Sequence, residues 1–548
     1  MRDQRRRCLS PVPCAAAGTI AGLLLAGCAV GPDFRSPALA TPTGYTATTL
    51  PLQTLASPGK DGASQRFVPG REVPAQWWTL LNSEPLDRLV QLALANSPTL
   101  AAAEATLREA QENRRAQVGS LLPRVDAGFS RDRRKISGAG FGQPQNKFSP
   151  FTLYNASVTV SYGLDLFGAN RRELEALQAQ VNYQRFQIEG AYLSLSANVV
   201  TSVVREASLR AQLRAAREIL ALQQQQLSLV EIRYQAGAVS EVEVSAQRAL
   251  LAQTRADLPP LELELNQNRH LLAVLVGRFP SEAAGLPEFE LDTLQLPEDL
   301  PVSLPSVLVR QRPDILAAEE LLHTASAGIG VATANLYPQI TLTGNYGSEA
   351  VTMGSLFGSG TAVWNLGAGV VQPLFRGGEL RARRRAAVAA YDQAQANYRE
   401  TVLQAFQEVA DVLQALEHDA ATLRADAEAA QAARESLELT EQQLRFGAIS
   451  HVALLDANRQ YQQARLNLVQ AQAARYADSV ALFHALGGGW WNRAPERDTG
   501  GADGDDQNVP APGGGGSGRG KALSSKKQPS PLPTSPLRGK ESGYGGLQ

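Results

Sequence analysis

From Ala156 to Leu166 the chain alternates strictly. Ala156, Val158, Val160, Tyr162, Leu164 and Leu166 are apolar or aromatic, while Ser157, Thr159, Ser161, Gly163 and Asp165 are small or polar. A helix cannot sort residues with a period of two, but a strand does so by turning them to opposite faces. The pattern recurs where Ile340, Leu342 and Tyr346 alternate with Gln339, Thr341, Thr343 and Asn345. It recurs again with Trp364, Leu366, Ala368 and Val370 against Asn365, Gly367 and Gly369, and more weakly with Val125, Ala127 and Phe129 against Asp126, Gly128 and Ser130. Strands are therefore predicted over about 124–133, 152–166, 339–348 and 361–374. Each has roughly the ten residues that a transmembrane β-strand needs. A soluble sheet half-buried on a core has the same local pattern. Four strands cannot close a barrel, which takes at least about eight, so the membrane reading demands several copies of the chain.

Between the strand pairs the period lengthens. No proline occurs from Gly168 to Ala236 or from Gly377 to Phe446, and apolar residues fall every seven positions: Leu174, Val181, Ile188, Leu195, and Val402, Val409, Leu416, Leu423. That spacing is a coiled-coil seam. At about 1.5 Å per residue each stretch would reach roughly 100 Å as one helix, more than a globular domain needs. Shorter return helices are expected over about 242–276, interrupted at Pro259-Pro260, and over 452–486. Further helices are expected over about 84–120 and 305–335.

These segments are two copies of one unit. Asn96-Ser97-Pro98-Thr99-Leu100-Ala101-Ala102-Ala103-Glu104 aligns with Gln311-Arg312-Pro313-Asp314-Ile315-Leu316-Ala317-Ala318-Glu319, with Pro98 and Pro313 lying 215 positions apart. Leu122-Pro123-Arg124-Val125 aligns with Tyr337-Pro338-Gln339-Ile340 at the same offset, and Leu166-Phe167 with Leu374-Phe375 at 208. Gly237-Ala238-Val239-Ser240 aligns with Gly447-Ala448-Ile449-Ser450, and Val276-Gly277 with Leu486-Gly487, both at 210. Ordered anchors with a nearly constant offset indicate duplication over about 84–277 and 305–490, joined by a Pro-rich linker at 278–304.

Composition narrows the function. With 52 basic and 53 acidic residues the net charge is −1, so no long-range attraction to nucleic acid is expected. The three cysteines, Cys8, Cys14 and Cys28, lie in the first thirty residues, and no HExxH, GxSxG or Walker loop occurs. Neither an enzyme nor a metal or cofactor site is expected. Arg2, Arg5, Arg6 and Arg7 precede an uncharged stretch from Val12 to Val30, the form of an export signal over 1–27. It ends in Leu25-Ala26-Gly27-Cys28, which looks like a bacterial lipobox. That likeness implies lipid attachment at Cys28. Ala29, in place of an aspartate, implies sorting to the outer membrane. Residues 28–83 then form an N-terminal extension, and the Gly-, Pro- and Ser-rich tail at 493–548 is expected to be disordered. Gly138-Ala139-Gly140-Phe141-Gly142 precedes no helix and is expected in a surface loop between strands.

Lipobox, Gly31-Pro32-Asp33-Phe34, Trp77-Trp78, the duplicated unit, the GAVS and GAIS turns and the closing Ala485-Leu486-Gly487-Gly488-Gly489-Trp490-Trp491 together resemble the lipoprotein branch of TolC-type outer-membrane efflux proteins. The likeness spans about residues 28–492. It implies a mainly α fold with a β-barrel: a homotrimer with four strands per chain in a twelve-stranded barrel, continued by a periplasmic α-helical barrel. It also implies a passive exit for drugs and other small molecules, working with a periplasmic adaptor and, through it, an inner-membrane pump. In that family the helical tips meet the adaptor, which points to Gly237, Ala238, Gly447 and Ala448. Acidic rings narrow the closed end, which points to Asp456; the second family position is Ala453 here, and Glu243 stands as a further candidate. The plain alternatives are helix-capping glycines and solvated carboxylates. Two rivals for the whole chain stay open: a TolC-like duct for type I protein secretion, and a lipid-anchored periplasmic coiled-coil scaffold.

Overall fold

A computed structural model describes residues 29–38, 42–47, 50–137, 142, 145, 149–446 and 448–493. The expected signal, Cys28, most of the 138–148 loop, Gly447 and the C-terminal tail lie outside the described residues.

The sequential elements are β1 (Arg66–Pro69), α1 (Glu84–Asn96), α2 (Pro98–Gly119), β2 (Arg124–Arg134), β3 (Phe151–Leu164), α3 (Ala169–Gln235) and α4 (Glu241–Leu275). They are followed by β4 (Asp299–Val302), α5 (Pro305–Gln311), α6 (Pro313–Ala334), β5 (Gln339–Ala350), β6 (Ala362–Val371), α7 (Glu379–Arg445) and α8 (His451–Ala485). Strands β2, β3, β5 and β6 form one antiparallel sheet in that order. Each of α3 and α7 has 67 residues, so each is about 100 Å long.

The stretches expected as single helices over 84–120 and 305–335 are each two helices. Pro98 and Pro313 have no N–H and force the preceding residue out of helical geometry, so Ser97 and Arg312 are extended. Ser97 then caps α2 by accepting from the Leu100 N–H. The breaks serve a joint. Gly277, at the end of α4, abuts Asn96 at the end of α1, and Gly487, at the end of α8, abuts Gln311 at the end of α5. A Cβ on Gly277 would come within 2.6 Å of the Asn96 carbonyl oxygen, so only glycine fits. Each long helix is thus flanked by two shorter ones set end to end, and the duplicated proline and glycine motifs mark the seam.

The interruption expected at Pro259-Pro260 is absent, because α4 runs through both prolines. Both are exposed, as are Arg255 and Ala256, whose carbonyls lose their partners. The prolines thus lie on the solvent side of α4, where a freed carbonyl is open to hydration, while Leu250, Leu251, Leu272 and Ala273 on either side are buried.

In α7 the buried stripe includes Val402, Val409, Leu416 and Leu423, the seam read from the seven-residue spacing. In α3 the match is poorer: Val181 is buried, but Leu174, Ile188 and Leu195 are only half-buried. Helix α3 packs against α2, α4, α6 and α8, so its apolar contacts spread around the helix rather than along one stripe.

The largest core lies at mid-height, where the extension and linker wrap the helices. Trp77, Trp78, Leu86, Phe289, Leu300, Leu308 and Phe483 are buried together, with Trp77 stacked on Phe483 at 5.4 Å. Strands β1 and β4 pair in parallel to tie the extension to the linker. Arg475 on α8 is fully buried, donating to the carbonyls of Asp61 (2.5 Å) and Ala63 (3.1 Å) and to Gln65 Oε1 (3.0 Å).

Candidate functional site

Directly paired residues in an antiparallel sheet share a face. The register pairs Val125 with Val160, Ala127 with Val158, Val158 with Tyr346, Tyr162 with Leu342, Tyr346 with Trp364, and Ile340 with Val370. The apolar alternations of all four strands therefore merge into one continuous face. Its large side chains are bare: Leu366 is 79 % exposed, Trp364 72 % and Tyr346 67 %. The opposite face carries Ser157, Thr159, Ser161, Thr341, Thr343, Asn345 and Asn365, with Asn345 Nδ2 donating to Thr159 Oγ1 at 2.9 Å. Within the described residues, β2 and β6 each have one paired and one open edge. A sheet with one greasy face, one wet face and two open edges is a segment of a larger wall.

The strand-to-helix junction is reinforced. The Asp165 carboxylate accepts from the N–H groups of Asn170 (3.2 Å) and Arg171 (2.9 Å) at the start of α3. The first described residues dock beside it. Val30 N–H donates to the Phe167 carbonyl at 3.1 Å, and the Asp33 carboxylate pairs with buried Arg172 at 2.7 Å. Phe34 stacks on His323 with centroids 4.3 Å apart, and His323 Nε2 lies 3.0 Å from Glu175 Oε1. The Gly31-Pro32-Asp33-Phe34 motif is thus a clasp against α3 and α6.

At the far end of the long helices, Gly237 has a φ of +73° and Ala238 N–H donates to the Arg233 carbonyl at 2.9 Å, a glycine C-cap. Ala448 N–H donates to the Gln443 carbonyl at 3.0 Å, the same bond 210 positions on. Gly237, Ala238 and Ala448 are exposed.

The two acidic candidates differ. Glu243 Oε2 accepts from the Ser240 N–H at 3.0 Å and closes a capping box at the start of α4, so its carboxylate is engaged in holding the turn. Asp456 is exposed, on a stripe of α8 with Val452, Ala453, Arg459 and Gln460, and its Oδ2 accepts from Gln460 Nε2 at 2.8 Å. The other side of that turn, Leu454, Leu455, Ala457 and Asn458, is buried.

Sequence reasoning missed the polar ties between repeats near the tips. Asn458 Nδ2 donates to Gln226 Oε1 at 3.1 Å, and Gln226 Nε2 donates to Glu441 Oε1 at 3.2 Å. Near the tips the repeat offset is 210, so Gln226 and Glu441 are not equivalent positions, and the duplication reveals repeat copies but not contacts between them.

The model of the outer membrane efflux protein family matches residues 89–278 and 304–488, both halves of the duplication. The pyoverdine export outer membrane protein OpmQ of Pseudomonas putida is 34 % identical over 434 residues, 77 % of this chain and 90 % of that protein. The cation efflux system protein CusC of Escherichia coli is 28 % identical over 484 residues, 87 % of this chain and all of that one. Among solved structures, the outer-membrane channel OprN superposes with a TM-score of 0.76 at 29 % identity, covering 84 % of this chain and 100 % of that one. The chain belongs to the outer membrane efflux protein family. It is an outer-membrane efflux channel with the TolC-like fold, its sheet in the outer membrane and its long helices in the periplasm.

Proposed function

We propose that three copies of the chain close one twelve-stranded barrel and form the acylated exit duct of a tripartite pump, passing drugs and other small molecules from periplasm to exterior. The observation that carries this is the four-stranded sheet with a continuous bare apolar face and open edges on β2 and β6. Three such sheets joined edge to edge satisfy the backbone of every strand and turn the apolar face to lipid. The small-molecule cargo draws support from the relative that carries pyoverdine export in its name.

Lipid attachment at Cys28 is part of this reading. Val30 and Asp33 are held at the junction of β3 and α3, so an acyl chain one residue before Ala29 would enter the inner leaflet at the rim of the barrel. The periplasmic adaptor docks at the tips around Gly237, Ala238, Gly447 and Ala448, and the inner-membrane pump is reached through it. Asp456, exposed on α8 and threefold repeated, lines the narrow end and favours cations. Glu243 serves the turn instead.

Native mass spectrometry and planar-bilayer recording of the purified protein test the core of the reading. A trimer with stable ion conductance is expected; a monomer that leaves bilayers silent would refute it. Asp456→Ala should raise conductance and relieve block by multivalent cations, whereas unchanged traces would remove the gate role. Gly237→Trp should abolish drug resistance in a pump-proficient host while leaving assembled protein in the membrane.

A further inference from the structure

The apolar face of the sheet ends abruptly at one side. Its successive rows are Leu164–Ile340–Val370, Tyr162–Leu342–Ala368, Val125–Val160–Gly344–Leu366, Ala127–Val158–Tyr346–Trp364 and Phe129–Ala156–Ser348–Ala362. The next two rows on the same face are Arg131–Tyr154–Ala350 and Arg133–Thr152. Both arginines are exposed, and among the described residues neither is paired with a carboxylate. Asp132, which separates them in sequence, points to the other face and accepts from Ser130 Oγ at 3.0 Å. The Arg131 guanidinium sits over the Tyr154 ring, 5.6 Å from its centroid, which steadies it beside the strand.

Height fixes what these groups meet. Adjacent rows are about 6.8 Å apart along a strand, or about 5 Å in height at a tilt of about 40°. Five apolar rows then span about 21 Å, and the Arg131 row stands at about 26 Å, where an outward apolar band of about 25 Å has just ended. The β2–β3 connection lies on the side away from the helices, so this row is at the external surface. Arginine there has no reason to face hydrocarbon, but it matches a phosphate by charge and by its forked donors.

We propose that Arg131 and Arg133 form a basic ledge on the lipid-facing side of β2 that binds the phosphate groups of outer-leaflet glycolipid. The ledge rests on the barrel reading given above, because that reading sets which face meets lipid and which end is external. In a trimer it occurs three times, each copy beside the seam where β2 meets the neighbouring chain, so bound lipid would bridge protomers.

The test uses full-length wild type, the double variant R131Q/R133Q and the opposite-face control R134Q, purified in mild detergent. Binding of bisphosphorylated lipid A is read by native mass spectrometry, with dephosphorylated lipid A and inorganic phosphate as separate arms. Wild type and R134Q should prefer the bisphosphorylated lipid by about tenfold or more, and R131Q/R133Q should lose most of that preference. Equal preference in wild type and R131Q/R133Q would overturn the ledge, as would an equal loss in R134Q, or inorganic phosphate competing at matched concentration. Conductance of R131Q/R133Q should equal that of wild type. If wild type itself fails to conduct, the barrel reading falls, and that result is distinct from a conducting protein without lipid preference.

Discussion

Asn458 on α8 donates to Gln226 on α3 at 3.1 Å, joining the second repeat to the first near the tips. Gln226 continues the link to Glu441 on α7 at 3.2 Å, so one side chain ties α3, α7 and α8 together. Asn458 is buried, and a lost hydrogen bond at such a site costs about 1 kcal/mol. Asn458→Ala should therefore free the lower end of α8 and raise single-channel conductance, with only a small fall in thermal stability. Conductance equal to wild type would show that the tie does not restrain the tip.

The two faces of the sheet predict opposite outcomes for a new charge. Leu366→Arg puts a cation in the middle of the apolar face and should cost about 2–4 kcal/mol, seen as loss of heat-resistant oligomer in membranes. Thr341→Lys, on the polar face opposite Gly163 and Gly369, should assemble normally and shift ion selectivity toward anions. Semi-native gel mobility and reversal potential measure the two effects.

The contribution of Asp419 to stability should decline as pH rises toward neutrality. Burial and then the neighbouring Asp478 carboxylate push Asp419 on α7 up to about 7 from its ordinary 3.8, with Arg475 opposing. Between those two values the folded chain holds a proton that the unfolded chain has released, so stability falls through this window and levels off above about 7. Asp419→Asn should flatten that dependence and raise the melting temperature at pH 8 relative to wild type. Differential scanning fluorimetry from pH 5 to pH 8 checks the sign.

The end-to-end helix joint predicts a steric penalty. Gly277→Ala places a Cβ within 2.6 Å of the Asn96 carbonyl oxygen, forcing α1 and α4 apart. A loss of about 1–3 kcal/mol is expected, as for other overpacked sites. Gly119→Ala, at the end of α2 with open space around it, should be nearly silent by the same melting measurement.

Alternation within each strand disclosed which residues share a side, because a period of two is a local property. It did not disclose the order β2-β3-β5-β6, since pairing Val158 with Tyr346 joins positions far apart in the chain. The repeated prolines at 98 and 313 mark the duplication, and the same residues break the helices at Ser97 and Arg312, a local effect that the sequence carries in full. Pro259-Pro260 misled in the other direction, because tolerance depends on which side of α4 meets water. For Glu243 the S-x-x-E spacing from Ser240 was visible and signals a cap, so its engagement with the turn was legible. The Gln226 tie was not, as it depends on how two repeats lean together. Arg131 and Arg133 fall inside the strand expected over about 124–133, but their place at the end of the apolar face depends on the pairing of β2 with β3, which alternation alone does not give.

Among the described residues, the butt joints at Gly277–Asn96 and Gly487–Gln311 leave α3 and α7 as the only rods that cross mid-height unbroken. Below that plane α4 and α8 run back to the tips, and above it α2 and α6 continue their course toward the sheet as separate helices. Any push or pull applied at the tips therefore reaches the sheet along α3 and α7, since the other helices meet at mid-height end to end and carry no continuous backbone across it.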